Sequence, residues 1–174
     1  MRRKEEMRFD SCFKLTVVLG CLLFLALAGC GSDENSPLVP KIPADELRTA
    51  PERIALGDQE YALETYLWRD FMPPCPPDGQ PLIALLRVVE QNGEPIAQDL
   101  KIEYLWVING AKIWATPVSD ESLPPSPQNE LHVIARGGPK WGPQIQVDVV
   151  VALRWGQGSL QLLRAPNQWI GRTD

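Results

Sequence analysis

From residue 59 onward, hydrophobic and polar residues alternate with a period of two, which sends successive side chains to opposite faces of a β-strand. Residues 59–68 set Tyr61, Leu63 and Leu67 against Glu60, Glu64 and Trp68. Residues 82–89 are almost continuously apolar, the pattern of a strand covered on both faces. In residues 101–109, Ile102, Tyr104, Trp106 and Ile108 point one way, and Lys101, Glu103 and Asn109 the other. Asn109-Gly110 then turns the chain into residues 112–118, which predicts a hairpin. Residues 131–136 read as a short strand. The strongest alternation is in residues 145–154, with Ile145, Val147, Val149, Val151 and Leu153 opposite Gln146, Asp148 and Arg154. Residues 159–164 supply a seventh strand.

Between these runs lie segments that cannot be regular. Five prolines in residues 71–81 fix φ and remove donors, and Pro77-Asp78-Gly79 within them reads as a turn. Asn92-Gly93 marks another turn, residues 119–129 form a polar, proline-rich crossing, and residues 137–143 form a glycine-proline loop around Trp141. Seven short strands without a helix of three turns predict an all-β domain, an antiparallel β-sandwich, over residues 58–174. Its layout resembles the immunoglobulin fold, with Trp106 where that fold carries its buried tryptophan. The two flanking cysteines of immunoglobulin domains are absent. An open seven-stranded barrel has the same strand pattern.

The N-terminal residues follow another logic. Arg2, Arg3, Lys4, Arg8 and Lys14 precede an uncharged apolar run over residues 15–29, the layout of an export signal. At 15 residues the run falls short of the roughly 20 that a membrane-spanning helix needs. It ends in Leu27-Ala28-Gly29-Cys30, which resembles the lipobox of bacterial lipoproteins. The resemblance implies diacylglyceryl attachment to the Cys30 thiol, cleavage before Cys30 and acylation of the new amino group. It therefore implies a protein anchored to the cell-envelope membrane by lipid and not by a spanning helix. Gly31 and Ser32 stand where an Asp would hold such a protein in an inner membrane. In a two-membrane host this favours the outer one, facing the periplasm. Met7 is a second possible start that shortens the leader. Residues 30–57 carry Pro37, Pro40, Pro43 and Pro51 among polar residues and read as a flexible tether, in which residues 45–48 are long enough for one helical turn.

Composition then narrows the function. The chain carries a net charge of −5, and loss of residues 1–29 leaves 12 Lys and Arg against 19 Asp and Glu, a net −7. An acidic domain without a basic cluster is a poor partner for nucleic acid. Of four cysteines, Cys12 and Cys21 leave with the leader and Cys30 takes lipid, so Cys75 stands without an intramolecular partner. The fold must rest on packing.

Catalytic chemistry is thinly provided. His132 is the single histidine, within a strand, and no nucleophile elbow, phosphate-cradling loop or paired-cysteine zinc spacing is present. No cofactor is implied. Cys75 and Met72 would make a soft-metal site if the proline loop folded over His132. Loop tryptophans offer large rigid surfaces for binding, which singles out Trp141, Trp155 and Trp169, with Arg136 and Lys140 beside Trp141. The expectation is a non-catalytic binding or structural module of the cell envelope with a protein partner. The alternative is a glycan- or peptidoglycan-binding module that stacks sugars on those tryptophans.

Overall fold

The computed structural model describes residues 38–119 and 126–174. The leader, the lipobox with Cys30, residues 31–37 and the middle of the 119–129 crossing lie outside the described residues. A short helix α1 (Ala44–Arg48) precedes eight strands: β1 (Arg53–Leu56), β2 (Gln59–Asp70), β3 (Leu82–Glu90), β4 (Leu100–Asn109), β5 (Lys112–Pro117), β6 (Glu130–Gly138), β7 (Gln146–Trp155) and β8 (Gln161–Thr173). No helix among the described residues is long and apolar enough to cross a membrane.

The strands form one curled sheet in the order β5-β4-β7-β8-β2-β3-β6, with β1 also on β2. Tyr61, Leu63, Leu67, Leu86 and Val88 from β2 and β3 share a core with Leu105, Val107, Val149, Val151 and Leu163 from β4, β7 and β8. The sheet thus folds over on itself, giving a front half (β1, β2, β3, β6) and a back half (β4, β5, β7) that face each other across one core. Strand β8 belongs to both halves. Its first part pairs antiparallel with β7, and its last residues pair with β2 in parallel, Leu67 opposite Ile170 and Asp70 opposite Thr173.

That parallel ladder makes the sheet mixed, where alternation predicts a wholly antiparallel one. Pro166 and Asn167 hide the continuation beyond residue 164. Pro166 cannot donate to a ladder, and Asn167 adopts a left-handed φ of 54° that asparagine tolerates. At this break the ladder with β7 shifts register, resumes at Gln168 and Trp169, and passes to β2 at Ile170.

The facing of β4 also departs from expectation. Its register against β7 shifts between Ile102 and Tyr104, so the strand carries an extra residue, Glu103. Ile102 therefore joins Leu105 and Val107 in the shared core, while Trp106 and Ile108 turn outward. Trp106 is fully buried, as expected, but not between the two halves. It lies in a second apolar cluster with Ile108, Val150 and Ala152 on the outer face of the back half.

The chain's own N-terminal segment covers that outer face. Leu47 of α1 is 0% exposed and Ala50 is buried, and Val39, Ile42 and Ala44 pack around them. Arg48 Nε bonds Asp148 at 3.0 Å, and Arg48 Nη2 reaches the Gly110 carbonyl at 2.6 Å. Arg164 donates to the Ala50 carbonyl and pairs with Glu52 at 2.9 Å. The second half of the expected tether, from about residue 39, is therefore part of the domain. Its proline spacing resembles a linker, but its sparse apolar residues find a prepared surface. A further ion pair on the back half joins β4 to β7. Arg154 brackets the Glu103 carboxylate, which its hydrogen bonds hold below the ordinary glutamate range against the opposing effect of burial.

Candidate functional site

Two places on the described surface gather side chains suited to binding. The first is a loop cluster at the C-terminal end of β2, built around Arg69. This side chain is 3% exposed, and every acceptor it meets is a backbone carbonyl. Nε donates to Gln80 at 2.9 Å, Nη1 to Lys140 at 3.2 Å and Gly142 at 2.9 Å, and Nη2 to Asp78. One guanidinium fork thereby ties the proline loop (71–81) to the glycine-proline loop (139–145). Phe71 lies beneath, its ring centroid 5.1 Å from Arg69 and 4.0 Å from Arg172. A Cβ on Gly79 would stand 2.6 Å from the Phe71 ring, and φ there is +73°, so only glycine lets the loop close. Lys140 Nζ bonds Asp78 at 2.7 Å across the loops, and this bond depresses the Asp78 carboxyl.

Of the residues that sequence singles out, Lys140, Trp141 and Trp169 belong at this end. Trp141 is half-buried and packs on the core. Trp169, 55% exposed, sits opposite Gln146 at the start of β7. Trp155, 45% exposed, stands at the other end of β7, its ring 3.2 Å from where a Gly57 Cβ would be. Nine residues of extended strand place Trp155 and Trp169 about 30 Å apart. The three tryptophans therefore do not share one sugar-binding face. Arg136 lies on exposed β6, beside a shallow cleft of about 250 Å³ that Thr116, Pro117, Ser119 and Ile134 also line.

The soft-metal arrangement is not assembled. Cys75 and Met72 lie in the proline loop, which enters β3 at Leu82, whereas His132 stands opposite Arg87, five positions along β3 or about 16 Å away. His132 Nε2 instead lies 2.5 Å from the Glu130 carboxylate. Among the described residues no group of three or more His, Cys, Asp and Glu could hold a metal ion.

The second place is the outer face of the front half, which sequence reading passes over. Ladder register puts Tyr66, Leu85 and Ile134 in one row across β2, β3 and β6, and Trp68 and Ile83 in the next. Tyr66 is 55% exposed, and the other four are half-buried, Ile134 lining the cleft with Thr116, Pro117 and Ser119. The Tyr66 and Trp68 rings lie 5.3 Å apart, tilted by 32°. Along one side of this patch Arg87 pairs with Glu64 at 2.5 Å, and His132 hydrogen-bonds the Glu130 carboxylate. The only available signal was Trp68 on the polar side of residues 59–68, with Tyr66 two residues before it. The patch forms when β3 brings Ile83 and Leu85 alongside.

Comparison with known proteins adds no relative: no family model matches the chain, and no curated protein or solved structure matches it.

Proposed function

We propose that this protein is a lipid-anchored, non-catalytic binding module of the bacterial cell envelope, whose β-domain docks a protein partner through the outer face of β2, β3 and β6. The observation that carries the reading is the unequal treatment of two apolar faces. The back half's outer face, with Trp106, Ile108 and Val150, is sealed by the chain's own N-terminal segment. On the front half's outer face Tyr66 is exposed and Trp68, Ile83, Leu85 and Ile134 are half-buried, with no covering segment like α1 among the described residues. A contiguous exposed apolar and aromatic patch with a paired, polar side is the usual signature of a protein interface. Five side chains of which three are aliphatic suit a protein better than a glycan, whose hydroxyls need donors and acceptors across the contact.

The anchor part of the reading rests on the lipobox resemblance at Cys30. We read the curled sheet as an open, immunoglobulin-like sandwich, a rigid platform for the docking face, supported by the core that both halves share. In-cell cross-linking of the tagged full chain tests the proposal, with Cys30→Ala and Tyr66→Glu/Leu85→Glu copies alongside. Labelled palmitate should enter the parent and not Cys30→Ala. A protein adduct should form with the parent and fall at least about tenfold with the face variant. Adducts unchanged in that variant would remove the docking face, and label in Cys30→Ala would remove the anchor.

A further inference from the structure

We infer that the occupant of the Tyr66–Trp68 face is a second copy of this chain, bound face to face about a two-fold axis; the inference rests on the docking role proposed above. Charge supplies the first argument. The mature chain is acidic, at net −7, so copies repel over most of their surface. Beside the face, Glu64 is paired with Arg87, so those two charges cancel within the chain. The apolar rows Tyr66, Leu85, Ile134 and Trp68, Ile83 carry no charge themselves, so a like face meets them without repulsion. A two-fold axis also lets each Arg87 approach the partner's Glu64 as well as its own, since an isologous contact repeats every pairing twice.

Chain length supplies the second argument. Seven residues lie between Cys30 and Leu38, and the eight steps across them limit the leash to about 28 Å even fully extended. The described chain starts over the outer face of β4, β7 and β8, on the far side of the core from Tyr66. The described chain therefore begins opposite the docking face, which disfavours the anchoring membrane as the occupant. Two copies on equal, short leashes carry their faces at similar heights, and confinement to one membrane raises their effective concentration.

The lateral row Tyr66, Leu85 and Ile134 forms the centre of the contact, with Trp68 and Ile83 next to it and the Glu64–Arg87 pair on the other side. Sedimentation equilibrium of the full lipidated chain in detergent, under reductant so that Cys75 cannot cross-link copies, measures the association directly. The expected result is a dimer. Tyr66→Glu and Leu85→Glu should each weaken it about tenfold or more while the circular-dichroism melt stays cooperative. Glu64→Arg should also weaken it about tenfold by setting like charges across the axis, and the exchanged pair Glu64→Arg/Arg87→Glu should restore it. A monomer at every concentration overturns the inference, and so does a dimer indifferent to all these substitutions. If the chain is a monomer and Tyr66→Glu still abolishes cross-linking to another envelope protein, self-association fails and the docking role stands. A monomer whose cross-links survive Tyr66→Glu removes both.

Discussion

At the scale of single residues, Arg69 does the most with the least. A buried guanidinium without a carboxylate in contact is costly unless its donors are filled, and here carbonyls from four residues fill them. Its planar fork suits this task because one side chain reaches both loops in fixed directions. Arg69→Met should cost about 2–4 kcal/mol, since it orphans carbonyls at four positions. The denaturant midpoint should fall accordingly, and limited proteolysis should cut in both residues 71–81 and 139–145, where the parent resists. Arg69→Lys should behave like the Met variant, since one ammonium cannot span both loops. Unchanged proteolysis in both variants would mean that the loops hold themselves. Arg69 was invisible in the sequence because nothing local marks a strand arginine as buried. Only its contacts, up to 73 residues away, do so.

At the scale of elements, α1 shows how little secondary structure is needed to seal a face. Five residues form no stable helix alone, and α1 persists because Leu47 enters the cluster of Trp106, Ile108, Val150 and Ala152. Leu47→Ala should destabilise the domain by about 2–5 kcal/mol, the range for a fully buried leucine. Thermal melts should report that loss, with rising dye binding as the Trp106 face opens. A change below 1 kcal/mol would show that α1 rests on the sheet without sealing it. Strand identity was legible along most of the chain, because alternation and turn residues are local properties: β2, β3, β4 and β5 end within two residues of their expected limits. Two elements were not. Strand β1 hides in a proline-rich, polar stretch, and β8 passes through Pro166 and Asn167, so each is defined by its ladder and not by its pattern.

At the scale of the whole molecule, Pro37–Asp174 is one compact unit. A chain beginning at Pro37 should therefore melt cooperatively with the midpoint of the full chain. One beginning at residue 58, the start expected from composition, should melt lower or aggregate, having lost β1 and the cover over Trp106. Equal midpoints would make the N-terminal segment dispensable. The chain by itself determined its all-β class and the positions of most strands, because these follow from period and turn chemistry. The proposed anchor rests on a short local pattern as well, the resemblance of Leu27-Ala28-Gly29-Cys30 to a lipobox. Tertiary structure alone decided which apolar face α1 covers and which it does not. In β4 a single extra residue at Glu103 moved Trp106 from one face to the other, and in β3 pairing with β2 and β6 set Ile83 and Leu85 beside Tyr66 and Ile134. Facing and adjacency are relations between distant segments, fixed by register and burial, and no window of sequence contains them.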